Sequence, residues 1–207
     1  MSEHWLSYVK RLHALASTGL FFGASDYDRE RYAEIGEIAQ TMLAELADVP
    51  VDRIPDLFPS YGKSYATPMI DVRGAVYRND SVLLVQEKLD GLWTLPGGYA
   101  DVGLSAAQNT IKEIEEEAGL QVAVTKLFAV RHKVKHAYAQ DMRDFYKFFF
   151  LCHAADDAQP QPGMETSAAA FFPVHELPAL STGRVIAADI ELGFQHLNNP
   201  QLPPSVD

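Results

Sequence analysis

The chain has 207 residues, of which 47% are hydrophobic and 22% charged, with a formal net charge of −11. That length holds one large domain or a small and a medium one, and the acidity argues against a general nucleic-acid or anionic-membrane surface, where basic patches are expected. Cys152 is the only cysteine, which excludes an intrachain disulfide, and its place in the run FYKFFFLCH reads as core.

The start, MSEHWLSYVK, lacks the basic residues and apolar run of a signal peptide. No apolar stretch approaches the ~20 residues that span a bilayer, so a cytoplasmic protein is expected. From His4 to about Leu20, Leu6, Val9, Leu12, Leu15 and Ala16 recur at helical spacing. Gly19 and Gly23 bracket the end of this helix, and Ser25 or Asp26 can cap a second. There Tyr32, Ile35, Ala39, Met42, Leu43 and Leu46 share a face until Pro50 stops the helix. The following VDRIPDLFPSYGKSYATP, with three prolines and a glycine, reads as a linker holding at most a helical turn. A helix pair of this size buries too little core to stand alone. It is expected to pack on the second domain, on a copy of itself, or on both. The predicted division is 1–66 and 67–207.

From Met69 the period becomes extended. Ile70–Tyr77 and Val82–Gln86 form a predicted hairpin with Asn79 and Asp80 in its turn. Asp90–Gly91 turns the chain into a short strand, Trp93–Leu95. Longer strands are expected over Gln121–Val130 and Asp144–His153, and a last one over Ala168–Val174. A final helix runs from about Arg184 to Leu197, followed by a proline-rich tail expected to fray. Mixed strands with flanking helices predict an α+β sandwich.

Between the short strand and the longer ones lies GGYADVGLSAAQNTIKEIEEEAGL, residues Gly97 to Leu120. The glycine pair lets backbone turn tightly and approach a ligand closely. Ser105 and Gln108 make a capping box, and Gly119 ends the helix. Ala107, Ile111, Ile114 and Ala118 form its predicted buried face, while Glu113, Glu116 and Glu117 crowd to one side. Like charges at that spacing repel by a few tenths of a kcal/mol per pair. A hard cation such as Mg²⁺ takes oxygen ligands, keeps several waters and bridges carboxylates to phosphates, and would remove the repulsion. Glu115 points away and reads as a solvated charge.

This stretch resembles the Nudix box, G-x(5)-E-x(7)-R-E-U-x-E-E-x-G-U with U apolar. Gly98, Glu113, Ile114, Glu116, Glu117 and Gly119–Leu120 fall on its pattern. The resemblance implies an α/β/α sandwich with a mixed sheet and Mg²⁺-dependent hydrolysis (Mn²⁺ also able to serve) of a nucleoside diphosphate linked to another group. It implies that Glu113, Glu116 and Glu117 bind metal, with the Gly97 carbonyl as a further ligand. Leu104 and Lys112 stand where the family has a glutamate and an arginine that brace the loop against the helix. Loss of that brace defines the alternative expectation, a catalytically weakened nucleotide-binding or regulatory module.

The segments YATP, DVRGAVY, LLVQEKLDGLWTLPGGYADVG, METSAAAFF and HELPALSTGR are similar to a subgroup with an N-terminal helical domain, which includes CDP-choline and ADP-ribose pyrophosphatases. The resemblance implies a homodimer through that domain and assigns Glu165 as a further metal-binding or catalytic acid. For substrate phosphates, Arg73 and Arg131 are candidates because a guanidinium fork matches phosphate oxygens. His132, Lys133, Lys135 and His136 make one basic cluster that could steer an anion, and Tyr61, Tyr65 and Phe22 are candidates to stack on a base. No membrane or nucleic-acid partner is expected.

Overall fold

The computed structural model describes residues 3–23, 25–155 and 157–207. The chain divides into two compact units, Met1–Met69 with Asp141–Asp144, and Ile70–Gln140 with Phe145–Asp207. Among the described residues no helix is long and apolar enough to cross a membrane.

The first unit is a helix pair, α1 (Glu3–Phe22) and α2 (Asp26–Ala47). Of the two candidate caps Ser25 is the one used: its hydroxyl accepts the Asp28 N–H at 3.1 Å. Asp48 closes α2 in the left-handed conformation, its N–H reaching the carbonyls of Ala44 and Glu45. Val9, Ala39, Leu43, Ala44 and Ile54 form the core. The expected apolar face of α1 is corrected in part, since Leu12 and Leu15 remain 42% and 48% exposed while His13 and Ser17 are buried. Two helices packed on each other cover only a narrow seam of each, and the rest of a broad apolar face stays outside. His13 fills the seam between Phe58 and Tyr61, each with its ring centroid 4.4 Å away, and burial pushes its pKa down to about 4. The linker holds two 3-10 turns, Val51–Arg53 and Pro55–Leu57, one more than expected. Residues 141–144 join this unit through Lys10, whose Nζ donates to the Arg143 carbonyl at 2.7 Å and pairs with Asp144 at 3.3 Å.

The second unit contains β1 (Met69–Arg78), β2 (Ser81–Glu87), β3 (Trp93–Thr94), α3 (Ala106–Ala118), β4 (Val122–His132), β5 (Phe145–Ala154), β6 (Thr166–Pro173), α4 (Ala187–Asn198) and β7 (Ser205–Val206). Asn79 and Asp80 both take positive φ, 47° and 58°, which is the two-residue turn that matches strand twist. Hydrogen-bonded order is β3-β2-β1-β5-β4-β7, with β6 on β2. One edge of β2 runs along β6, and the other is shared by β1 near its start and β3 near its end. The sheet is mixed: β1 with β2, β2 with β3 and β6, and β4 with β5 pair antiparallel, while β7 lies parallel to β4.

Side-chain alternation splits the core between the two faces. Leu83, Val85, Phe150 and Cys152 pack with Ile114 and Ala118 of α3, while Val82, Leu84, Phe149 and Leu151 pack with Ile190 of α4. Cys152 is 8% exposed, and burial pushes its thiol up to about 12. The tail is not frayed as expected. Lys126 Nζ donates to the carbonyls of Pro200 at 2.9 Å and Leu202 at 2.6 Å, and residues 205–206 then pair with Ala129–Val130.

Candidate active site

The glycine loop is laid down on β1 as an extra stretch of sheet. Val72 N–H donates to Gly98 O at 2.9 Å, Gly74 N–H to Pro96 O at 2.9 Å, and Ala100 N–H to Ile70 O at 3.0 Å. Gly97 takes φ +145°, and a Cβ there would lie 2.0 Å from the Val72 carbonyl oxygen, so only glycine fits. Its N–H donates to Glu117 Oε2 at 2.8 Å. A Cβ on Gly98 would meet Glu113 Oε1 at 3.0 Å. The capping box forms, with Gln108 N–H to Ser105 Oγ at 3.2 Å and Ser105 N–H to Gln108 Oε1 at 2.8 Å. Thus α3 starts where the loop ends, and its glutamates face the glycine pair.

Of the three helix glutamates, Glu117 is buried, Glu113 half-buried and Glu116 exposed. Burial pushes the Glu117 carboxyl up to about 7, with Glu87 and Glu113 adding repulsion and Arg73 and the Gly97 N–H opposing it. Burial also raises Glu113, where Lys112 and Arg73 oppose the shift and Glu116 and Glu165 add to it. Glu165 arrives because the last carbonyls of α3 are capped by the segment before β6. Gln161 N–H donates to Ala118 O at 2.9 Å, and Thr166 Oγ1 to Glu117 O at 2.8 Å. Its own carbonyl accepts the Lys88 N–H at 3.2 Å.

Glu87, not singled out from the sequence, stands at the end of β2 and is 8% exposed. Arg184 Nε lies 3.2 Å from Glu87 and its Nη1 3.0 Å from Asp90, with Ser181 Oγ donating to the same Asp90 oxygen at 2.7 Å. A glutamate closing an apolar strand, three residues before Asp90–Gly91, is the sequence signal for it.

The brace between loop and helix is present in another form. Lys112 Nζ reaches Asp101 at 2.9 Å and Glu116 at 3.2 Å, and both partners raise its pKa. Asn109, fully buried, adds a second tie: its Oδ1 accepts the Asp101 N–H at 2.9 Å, and its Nδ2 donates to the carbonyl of Asp101 at 3.3 Å. The expectation that Leu104 and Lys112 leave the loop unsupported is therefore corrected. Asp101 supplies the acid from the loop itself.

The phosphate forks expected at Arg73 and Arg131 are engaged inside the fold. Arg73, 3% exposed, donates from Nε and Nη2 to Asp71 at 3.0 and 2.8 Å and from Nη1 to Leu95 O at 3.1 Å. Its charge still acts on Glu117 and Glu87. Arg131 Nε lies 3.3 Å from the buried Asp189, and its Nη1 meets His136 Nδ1 at 2.9 Å. In the basic cluster, Lys133 is buried, with Nζ 5.1 Å from the Phe145 ring centroid, and His136 pairs with Asp207 at 2.7 Å. Tyr61 stacks on His13, and Phe22 and Tyr65 meet edge to face at 6.4 Å in the first unit.

Among the described residues no three His, Cys, Asp or Glu side chains close into a metal cage of their own. The donors are nonetheless all oxygen, negatively charged in excess and partly desolvated. That set fits a hard divalent cation which completes its shell with water and phosphate oxygens, and fits poorly a metal that needs nitrogen or sulfur ligands.

A glycine loop on a mixed sheet, feeding a capped helix whose glutamates face it, defines a Nudix-type hydrolase site, and the comparisons agree. The NUDIX domain profile matches residues 67–190, and a profile described as a UDP-X-like, N-terminal oligomerisation domain matches residues 3–58. The chain belongs to the Nudix hydrolase family. It is 41% identical to the Bacillus subtilis protein named "Putative ADP-ribose pyrophosphatase YjhB", across 95% of this chain and 93% of the relative. The crystal structure of a UDP-X diphosphatase shares 32% identity over 100% of both chains, with a TM-score of 0.63. That of an ADP-ribose pyrophosphatase from Streptococcus suis 89-1591 shares 38% identity over 68% of this chain and 100% of the other, with a TM-score of 0.62.

Proposed function

We propose that this chain is a Mg²⁺-dependent pyrophosphohydrolase that cleaves a nucleoside diphosphate joined to another group, of the ADP-ribose, UDP-X or CDP-choline kind, to a nucleoside monophosphate and a phosphorylated product. The observation that carries this reading is the placing of Glu117 on Gly97 and of Glu113 beside Gly98, with Glu116 and Glu165 close enough to act on Glu113 by their charge, and the relatives' names support it. Those four glutamates and the Gly97 carbonyl would hold the cation. Bound there, it would screen the diphosphate charge, polarise the P–O bond and acidify a water. Gly98, lacking a side chain, lets the Glu113 carboxylate lie directly against the loop, where a Cβ would meet it at 3.0–3.1 Å, and its backbone is the candidate contact for a substrate phosphate. Arg73 contributes positive field to Glu113 and Glu117 from inside the fold in place of a fork, while Arg131 is engaged by Asp189 and His136. The deciding experiment incubates purified protein and Mg²⁺ with ADP-ribose, UDP-sugars, CDP-choline and NADH. Release of a nucleoside monophosphate from at least one supports the reading, and none from any member sinks it.

The pH dependence of stability should report on Glu117. Its folded pKa of about 7 exceeds its ordinary value of 4.5. A carboxyl raised in this way binds its proton more tightly in the folded state. Its contribution is complete below pH 4.5 and is lost as pH rises through 7, up to roughly 3 kcal/mol in total. In EDTA, wild-type melting temperature should fall relative to Glu117→Gln between pH 5 and 8. A cation that prefers the ionised form reverses the trend, so the Mg²⁺-induced rise in melting temperature should grow with pH. An equal rise at pH 5 and pH 8 would count against cation binding at Glu117.

The first unit supplies a homodimer interface. Trp5, Leu12, Leu15, Ile35 and Ile38 are 39–55% exposed on its helices, more apolar surface than scattered residues of a monomer present. Light scattering after size exclusion should give twice the 22.9 kDa chain mass. The Leu15→Glu, Ile38→Glu double variant should elute as a monomer.

A further inference from the structure

Beneath the glycine loop, the second unit buries a group of charges of which Arg73 alone lends its field to the glutamates. Asp71 on β1 is 5% exposed, and Lys147 on β5 is 1% exposed. Lys147 Nζ donates to Asp71 Oδ1 at 2.6 Å, and the two Asp71 oxygens also accept Arg73 Nε and Nη2 at 3.0 and 2.8 Å. Arg73 and Lys147 hold the Asp71 carboxyl below the usual carboxylate range in spite of its burial. Burying three ions costs several kcal/mol each, and a well-packed apolar trio is often as stable or more so. Stability is therefore a poor reason for these residues, and their position supplies a better one. The last edge of the guanidinium donates to Leu95 O at 3.1 Å, immediately before Pro96–Gly97. Asp71 itself pairs across to Tyr99, just past Gly98. The trio thus grips the start of the glycine loop through its arginine, while main-chain pairing at Asp71 holds the far end, and that arginine exerts its field on Glu117.

We propose that Lys147, Asp71 and Arg73 form a positioning relay for the carboxylate site: Lys147 fixes Asp71, Asp71 sets the plane of the Arg73 guanidinium, and Arg73 anchors the Leu95 carbonyl from which Gly97 and Gly98 are hung. The relay touches no substrate, and it rests on the hydrolase reading only for its effect on rate. Lys147 on its own braces Asp71. Without Asp71, Arg73 loses the two bonds that orient it while its positive charge remains buried.

The test uses Asp71→Asn, Lys147→Met and the double variant of the full chain. Asp71→Asn should lower kcat 10- to 100-fold, the range found when outer-shell partners are removed, with KM changed less than threefold. It should also speed hydrogen exchange of the Gly97 amide, which reports the bond to Glu117, while other sheet amides keep their protection. The double variant removes the stranded lysine charge but not that of Arg73, so its melting temperature should recover in part while kcat and Gly97 exchange do not. Unchanged Gly97 exchange in Asp71→Asn overturns the relay. So does recovery of kcat together with melting temperature in the double variant, because that is the behaviour of a merely structural cluster. If wild-type protein hydrolyses none of the nucleotides, the hydrolase reading fails, and the exchange measurement still decides the relay.

Discussion

A Glu117→Gln variant is expected to fold and to hydrolyse substrate about a thousandfold more slowly than the wild type. The amide can still accept the Gly97 N–H that Glu117 Oε2 accepts at 2.8 Å, so the loop keeps its anchor. What disappears is the most deeply buried negative charge of the set. Metal-borne stabilisation of transition-state charge amounts to several kcal/mol, and each 1.36 kcal/mol is a factor of ten in rate. Glu115→Gln serves as the control, because Glu115 is exposed on the same helix and should lose nothing. Steady-state kinetics on both variants, with folding checked by thermal melting, decide the matter. Retention of more than a tenth of wild-type kcat by Glu117→Gln would remove that residue from the centre of the mechanism.

The second large effect is expected from Gly97→Ala, with Gly98→Ala as its comparison. At Gly97 a methyl group would have to occupy space 2.0 Å from the Val72 oxygen at φ +145°. The loop must leave β1, which breaks the bonds to Val72 and Gly74 and takes the Gly97 N–H away from Glu117. Strained backbone of this kind costs roughly 1–3 kcal/mol per residue, and lost hydrogen bonds add to it, so about 3 kcal/mol of stability and nearly all activity should be lost. At Gly98 the clash is with the end of the Glu113 side chain at 3.0–3.1 Å. A carboxylate can swing aside by a few tenths of an ångström, so this variant should keep its stability and lose about tenfold in rate. Denaturant unfolding and initial rates of the two variants test the order. Equal stability of both would show that the loop is not seated on β1 as described.

Legibility from sequence followed the range of the interactions. Elements set by neighbours a few residues away were readable: the Asn79–Asp80 hairpin, the Ser105–Gln108 capping box, the Ser25 cap and the Gly119 stop all use local hydrogen bonds or φ preferences. The glutamate spacing on α3 was readable for the same reason, since helical period alone places them together. What the sequence hid depends on pairing across the sheet. Glu87 joins the site because β2 ends beside the loop, 30 residues before Glu117. Asp101 could not be matched to Lys112 by a motif that expects its acid at position 104. The Arg131 fork is engaged by Asp189 of α4, which a single strand read in isolation cannot show, whereas the partner of Arg73 was open to reading, since Asp71 lies two residues earlier on the same face of β1. A usable signal existed in Lys147, a lone charge inside FYKFFFLC, because a strand that apolar can bury a cation only against an anion. The tail was misjudged because residues 205–206 are held by an edge of β4, which composition does not reveal.

The buried thiol of Cys152 makes the second unit its own unfolding reporter. Held at 8% exposure and pushed up to about 12, it offers almost no thiolate to an alkylating or oxidising reagent in the native state. As the chain has no other cysteine, every labelled molecule records an opening of the layer between the sheet and α3. Labelling rates against reagent concentration would give the free energy of that opening under native conditions, without denaturant or an introduced probe. The glutamate-bearing helix forms one wall of that layer, so the same clock can time how tightly substrate or cation closes it.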